Sequence, residues 1–287
     1  MISRKISTYW ILTKPRLWFL LVYTGISGFL IASNGDINLQ LFMILFISLV
    51  SGTAGANVVT SYIDRDIDSI MERTRNRPLP RGEITPKNAL IFGLFLVAVS
   101  IITSALINIY TLIFMLFGLF DNIIIYSLVL KRRNPLNIVL GSFSGGCPVV
   151  IGYTAYANNV DALSIILAAL IVVWTPVHIW SLALYYRDDY KRAGVPMLPV
   201  VTSEAKSIRC IASTAIFLIL FSYLIPVLQP RFNHYIYLSI MTVLNILLGF
   251  YAFKLLLKPD LRTSWKLFKL TSPYLGIIFT VMVLLSI

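Results

Sequence analysis

Apolar residues in this chain come in long unbroken blocks, and polar residues collect between them. The blocks fall at about 17–33, 39–62, 88–107, 110–130, 136–156, 162–185, 208–228, 234–255 and 270–287. Each is close to the roughly 20 residues an α-helix needs to cross a hydrocarbon core. The pattern predicts an all-α membrane protein with nine transmembrane helices, organised as one polytopic domain over 1–287. A very apolar soluble bundle would show a polar face at helical period, and most of these blocks show none. The first block follows four basic residues and lacks a small-residue cleavage site, so it reads as a span and not as a removable signal.

Composition agrees: 58% of the 287 residues are hydrophobic and only 13% charged, about half the charged share of a soluble domain. Charge then orients the chain. With nine spans, 23 of the 24 Lys and Arg fall on one side, leaving Arg231 alone on the other. The positive-inside rule puts the N-terminus and basic loops in the cytoplasm and the C-terminus outside. A plasma or inner membrane is the expected location. The net charge of +12 is thus mostly topology, and no basic patch interleaved with stacking aromatics points to nucleic acid. Cys147 and Cys210 lie in or beside apolar stretches, at a spacing that suits no zinc site.

Acids are expensive in such a chain, so their positions are informative. Five of the 12 lie in two clusters, Asp64-Arg65-Asp66-Ile67-Asp68 after the second span and Arg187-Asp188-Asp189-Tyr190 after the sixth. Two such clusters suggest two quasi-equivalent halves facing one cavity. Read as a helix, Asn57, Ser61, Asp64 and Asp68 share a face, with two carboxylates one turn apart. Carboxylates so placed suit Mg²⁺, which takes a few of them together with substrate phosphate oxygens. The bland alternative is a solvated helix end. Four Arg in nine positions follow, Arg73, Arg75, Arg77 and Arg81, in a segment broken by Pro78 and Pro80. Such a cationic loop beside a metal face can hold a diphosphate, or it can serve the charge bias alone. Lys131 and Arg132 close the fourth span, with Tyr126 above them.

His178 sits in mid-span within Trp174-Thr175-Pro176-Val177-His178-Ile179-Trp180, and Tyr185 lies one turn from Asp189. An intramembrane His is either a hydrogen-bonded structural residue or part of a site. Asp121, also within a span, is equally compatible with a site or with helix–helix hydrogen bonding. His234 looks peripheral. The small residues Gly141, Gly145, Gly146 and Gly152 either pack helices or leave room for a flat substrate.

These residues carry a resemblance. Tyr62 to Asp68 with Met71-Glu72-Arg73-Thr74 and Arg77-Pro78-Leu79-Pro80-Arg81-Gly82 resembles the first signature of the UbiA-type intramembrane prenyltransferases. Leu130-Lys131-Arg132 with Asn134-Pro135 is similar to a second. Trp174 to Trp180, Arg187 to Tyr190 and Gly194-Val195-Pro196-Met197-Leu198-Pro199-Val200 resemble a third, the mark of the branch that farnesylates heme.

The resemblance implies nine helices around a central cavity open to lipid, with a prenyl diphosphate bound through Mg²⁺. It implies farnesyl diphosphate and heme b as substrates, heme o as product, and a heme a synthase or terminal oxidase as partner. Its implied catalytic set is Asp64, Asp68, Lys131, His178 and Asp189, with Asp64, Asp68 and Asp189 as metal ligands. Around them Asn57, Ser61, Arg65, Arg73, Arg77, Tyr126, Arg132, Trp180, Tyr185, Arg187 and Asp188 would contact substrate. The chain departs from the family pattern twice. Thr60 stands where the first motif usually has Asn, with Asn57 one turn further up. Tyr185 stands where relatives that prenylate aromatics have the first Asp of the second motif. A quinone-precursor prenyltransferase and a transporter are the competing expectations. A transporter would place its acids near the bilayer midplane.

Overall fold

The computed structural model describes residues 2–287, with side chains from Ile6 onward. Among the described residues there is no strand, and nine helices are long and apolar enough to span a bilayer. They are α1 (Pro15–Ser33), α2 (Leu39–Ile63), α3 (Pro86–Ile107), α4 (Ile109–Leu130), α5 (Asn137–Ala157), α6 (Ala162–Tyr185), α7 (Glu204–Leu228), α8 (Tyr235–Leu257) and α9 (Leu261–Leu284). A further helix, Ile2–Leu12, precedes them.

Polar caps set the helix starts. Asn38, Thr85, Asn108, Asp161, Ser203 and Asp260 each accept a backbone N–H of the following turn, satisfying donors that a helix end leaves unpaired. The caps also account for the main departure from the apolar pattern. The ninth block was expected from residue 270, whereas α9 begins at Leu261, where Asp260 accepts the N–H of Arg262 at 3.0 Å and of Thr263 at 3.1 Å. Its first turns carry Arg262, Lys266 and Lys269. Hydropathy locates where a helix enters hydrocarbon; the cap locates where it begins. For the same reason α7 starts at Glu204, after the Ser203 cap, ahead of its apolar block.

Sequential helices pack side by side and α9 returns to α1, closing a ring, while α1 also packs along α5 and α6 along α9. The α1–α5 crossing is very close. A methyl at Gly152 would run into the Gly25 carbonyl oxygen, and one at Gly28 into that of Val149. These glycines serve helix packing. Asp121 does too: its Oδ2 accepts the Ser144 backbone N–H of α5 at 2.9 Å. From Asp121 to Leu130 α4 is a π-helix, a widened form often found at functional sites.

Each acidic cluster follows a long helix, α2 or α6, and leads into a six-residue helix, Arg65–Ile70, which Asp64 immediately precedes, or Arg187–Arg192.

Candidate functional site

The α2 helix stops at Asp64, whose backbone (φ −92°, ψ 8°) leaves helical geometry. The turn is kept by the Asp68 N–H, which donates to the Asp64 carbonyl at 2.8 Å. Both carboxylates are consequently buried, 3% and 5% exposed. That is far from the solvated helix end of the bland reading, and burial of two acids requires counter-charge. Lys131 Nζ donates to Asp64 Oδ2 at 2.5 Å, and Arg77 Nη1 donates to Asp68 Oδ1 at 3.0 Å and Oδ2 at 2.8 Å. Thr74 Oγ1 donates to the Asp68 carbonyl and folds the Arg loop back over the pair. Burial works against the Lys131 charge, but the Tyr126 hydroxyl and Asp64 outweigh it and raise its pKa. Lys131 therefore stays an ammonium ion.

Asp64 Oδ1 is buried without a hydrogen-bond partner. An orphaned carboxylate oxygen beside a second carboxylate is a hard-oxygen donor set that fits Mg²⁺. The wider ligand set expected from sequence is not assembled. Among the described residues no three His, Cys, Asp or Glu side chains gather for a metal. Asp189 is buried but turned to the Arg loop: Oδ1 accepts the Glu72 N–H at 2.9 Å and Arg192 at 2.7 Å, and Oδ2 the Arg73 N–H at 3.2 Å. Burial pushes this carboxyl up, yet the two amide donors and Arg192 outweigh it and hold it below its usual range. Its oxygens fasten the second cluster to the loop of the first.

Lys14 was not singled out from sequence. Its ammonium has no hydrogen bond or ion pair among the described residues, although it interacts electrostatically with Asp64, Asp68, Arg77 and Lys131. Burial first, and then the nearby Arg77, lower its pKa to about 7. A Lys immediately before a proline that opens the first span was the available signal, and it reads as ordinary interfacial charge.

Above the acid pair lies a cavity of about 570 Å³, walled by α1, α2, α4, α5, α6 and α9. Asn57 and Tyr126 line its lower end, Gly141 and Gly145 one wall, and Trp174, Thr175 and His178 another. So the glycines divide by role: Gly152 packs helices and Gly145 borders open space. Leu17 and Phe19 are both cavity-lining and exposed on the outer face of α1, 54% and 69%, giving the cavity a lateral mouth. The His178 ring lies between Trp174 and Phe268, each with its centroid 4.4 Å away.

Several expected substrate contacts point elsewhere. Trp180 is packed in the core, because two positions past His178 is the opposite face of a helix. Arg65 folds back on Tyr62, its guanidinium 4.6 Å from the ring. Arg132 pairs with exposed Asp66 at 2.6 and 2.7 Å. Arg187 donates to the Thr202 carbonyl at 3.2 Å, and Asp188 is exposed. Tyr185 stacks on Trp265 at 4.7 Å. Ser61 is buried, donating to the Asn57 carbonyl at 2.7 Å. Arg73 is exposed, its side chain beside Tyr186 and Tyr190. His234 only caps α8.

The model of the UbiA prenyltransferase family matches residues 21–274. The chain is 45% identical over 287 residues to the protoheme IX farnesyltransferase of Thermoplasma volcanium, covering 99% of each chain. Its fold resembles a solved structure of digeranylgeranylglyceryl phosphate synthase at TM-score 0.80 and 23% identity, covering 99% of both chains. It also resembles a UbiA homologue of Archaeoglobus fulgidus bound to GPP and Mg²⁺, at TM-score 0.69 and 17% identity, covering 97% of this chain and 98% of that one. With this extent of match, the chain belongs to the UbiA prenyltransferase family and, within it, groups with the protoheme IX farnesyltransferases.

Proposed function

We propose that this protein transfers the farnesyl group of farnesyl diphosphate to a vinyl group of heme b, with addition of water, to give heme o. The observation that carries this is the junction of two unlike environments. A buried acid pair rimmed by Lys131, Arg77 and Lys14 opens beneath a largely apolar cavity with aromatic walls. One end suits a diphosphate, the other a long isoprenoid beside a flat macrocycle. The name of the Thermoplasma volcanium relative supplies heme as the acceptor.

Asp64 and Asp68 would hold Mg²⁺, which when bound neutralises charge on the departing diphosphate. Arg77, Lys131 and Lys14 bind and orient the phosphate oxygens, charge-assisted contacts that strengthen as negative charge develops on the leaving group. The C1–O bond breaks with its electron pair going to diphosphate. The apolar walls keep water from the allylic cation, and Trp174 and Tyr126 offer π-faces to it. The vinyl carbon then bonds to C1. Water adds to the resulting porphyrin-stabilised cation and loses a proton, leaving the hydroxyethylfarnesyl group. No covalent enzyme intermediate is required. Asp189 and Asp66 act by holding the loops. The diphosphate end faces the cytoplasm, and the product passes to a heme a synthase or terminal oxidase.

The test is to incubate membranes containing the protein with heme b, farnesyl diphosphate and Mg²⁺ and to analyse extracted hemes by mass spectrometry. Heme o should form, and Asp64→Ala or Asp68→Ala should abolish it with the folded protein retained. Near-normal turnover in either variant would refute the diphosphate site. Prenylation of 4-hydroxybenzoate with heme untouched would instead identify a quinone-precursor enzyme.

A further inference from the structure

The hydrogen bonds around His178 determine which of its nitrogens carries the proton. His178 Nδ1 lies 2.7 Å from Thr271 Oγ1 on α9, and that oxygen lies 2.6 Å from the Phe268 carbonyl oxygen. A carbonyl only accepts, and a threonine hydroxyl has one hydrogen. The short contact to Phe268 therefore takes that hydrogen, and Thr271 Oγ1 can only accept from His178. Nδ1 must then be the protonated nitrogen. The ring sits in an apolar aromatic slot, where an unpaired imidazolium is disfavoured. It is neutral, and Nε2 is left as a bare lone pair.

Among the described residues the ring's hydrogen bond to a side chain is the one at Nδ1, and His178 borders the cavity. The ring is also held rigidly. Trp174 stacks on one face at 17°, Phe268 covers the other at 31°, and the Trp174 indole N–H is itself tied to the Thr271 carbonyl at 2.7 Å. Thr271 thus fixes both the proton and the clamp. A neutral histidine at a cavity wall whose Nδ1–H is fixed by a hydroxyl is the usual arrangement of an imidazole prepared for a metal.

We propose that His178 Nε2 is an axial ligand to the iron of the heme substrate, and that Thr271 positions it. This rests on heme being the acceptor, and it adds how the macrocycle is held. Coordination fixes the iron and leaves in-plane rotation of the porphyrin as the freedom by which a vinyl group is presented to farnesyl C1.

The experiment titrates heme b into the purified full-length protein and records optical, electron paramagnetic resonance and resonance Raman spectra, with turnover measured in parallel. Wild type should show a histidine-ligated iron. His178→Ala should lose that signature and bind heme at least about tenfold more weakly, and added imidazole should restore the spectrum. Thr271→Val should keep the ligand but shift the iron–histidine stretch and weaken heme binding by about tenfold. Retained binding of farnesyl diphosphate by each variant shows that it is folded. Wild type that converts heme b to heme o with a spectrum unchanged by His178→Ala would overturn the ligation while leaving the proposed reaction standing. Wild type that neither binds nor farnesylates heme would overturn both.

Discussion

Lys14 holds a backbone conformation that lysine rarely takes. Its φ and ψ are 57° and 60°, and among the described residues the other non-glycine positions with positive φ are both Asn. The left-handed region disfavours a side chain such as lysine by about 1–2 kcal/mol, and residues held there against preference cluster at functional sites. Here the strain brings a cation against the acid pair while Pro15 starts α1 immediately afterwards. Lys14→Met should raise the KM for farnesyl diphosphate by roughly tenfold to a hundredfold, the worth of one charge-assisted hydrogen bond, and Lys14→Arg should largely preserve it. The pKa of about 7 adds a pH signature. Between pH 6 and 8 wild type loses this cation, so its KM for the diphosphate should climb more steeply than that of Lys14→Arg, which remains charged. Unfolding cannot mimic the effect. The unfolded lysine holds its proton to about pH 10.5, so above pH 7 the unfolded state binds more protons and this residue's contribution to stability rises with pH. Parallel pH profiles for the two proteins would remove Lys14 from the site.

At the level of elements, the surprise is how the two acidic clusters cooperate. Sequence spacing found Asp64 and Asp68 because a helix periodicity of 3.6 links positions close in the chain. It could not find that Asp189 receives the Glu72 and Arg73 amides, since a side-chain bond to backbone more than a hundred residues away leaves no pattern. The same limit hid the Arg132–Asp66 and Arg187–Thr202 bonds, and it made both arginines look available for substrate. Arg77 was expected on the diphosphate, and its bond to Asp68 nine residues earlier was not foreseen. Asp189 as a loop anchor and Asp189 as a metal ligand make different predictions. In Asp189→Asn one amide bond can persist, while Arg192 loses one of its two carboxylate partners and keeps Glu72 at 3.1 Å. The variant should keep the wild-type Mg²⁺ concentration dependence, lose up to tenfold in kcat/KM, and show faster proteolysis within residues 71–83. A large rise in the Mg²⁺ needed for half-maximal activity, with proteolysis unchanged, would show that Asp189 binds metal after all.

For the whole molecule the legible part was the charge distribution, and its logic extends to the outer surface. Both the span count and the ring of helices agree with the apolar blocks, because hydrocarbon thickness dictates block length directly. The paired acidic clusters and the family pattern both pointed to a cavity, but its lining was not legible, since those residues come from six helices, each contributing isolated positions. Arg231, the one basic residue on the far side, is not a stray exception to the asymmetry. Its guanidinium donates to the Ile31 carbonyl at 2.9 Å, to Asn34 at 3.1 Å and to Ser286 at 3.2 Å, so it ties the end of α1 to the end of α9 where the ring closes. Burial lowers its pKa from the usual arginine value, opposed by Tyr153 and Asp161. One charge that joins two helix ends is outweighed by the 23 Lys and Arg on the opposite side, which set the expected orientation. The charge bias predicts that the acid pair opens to the cytoplasm. Alkaline phosphatase fused after Ile287 should be active and the same reporter inserted in the 73–81 loop inactive. In the Arg231→Gln variant the orientation should hold while the α1–α9 seam weakens, lowering thermal stability in detergent by a few degrees. The reverse reporter pattern would place the diphosphate site on the outer face and remove the supply of substrate on which the proposed reaction depends.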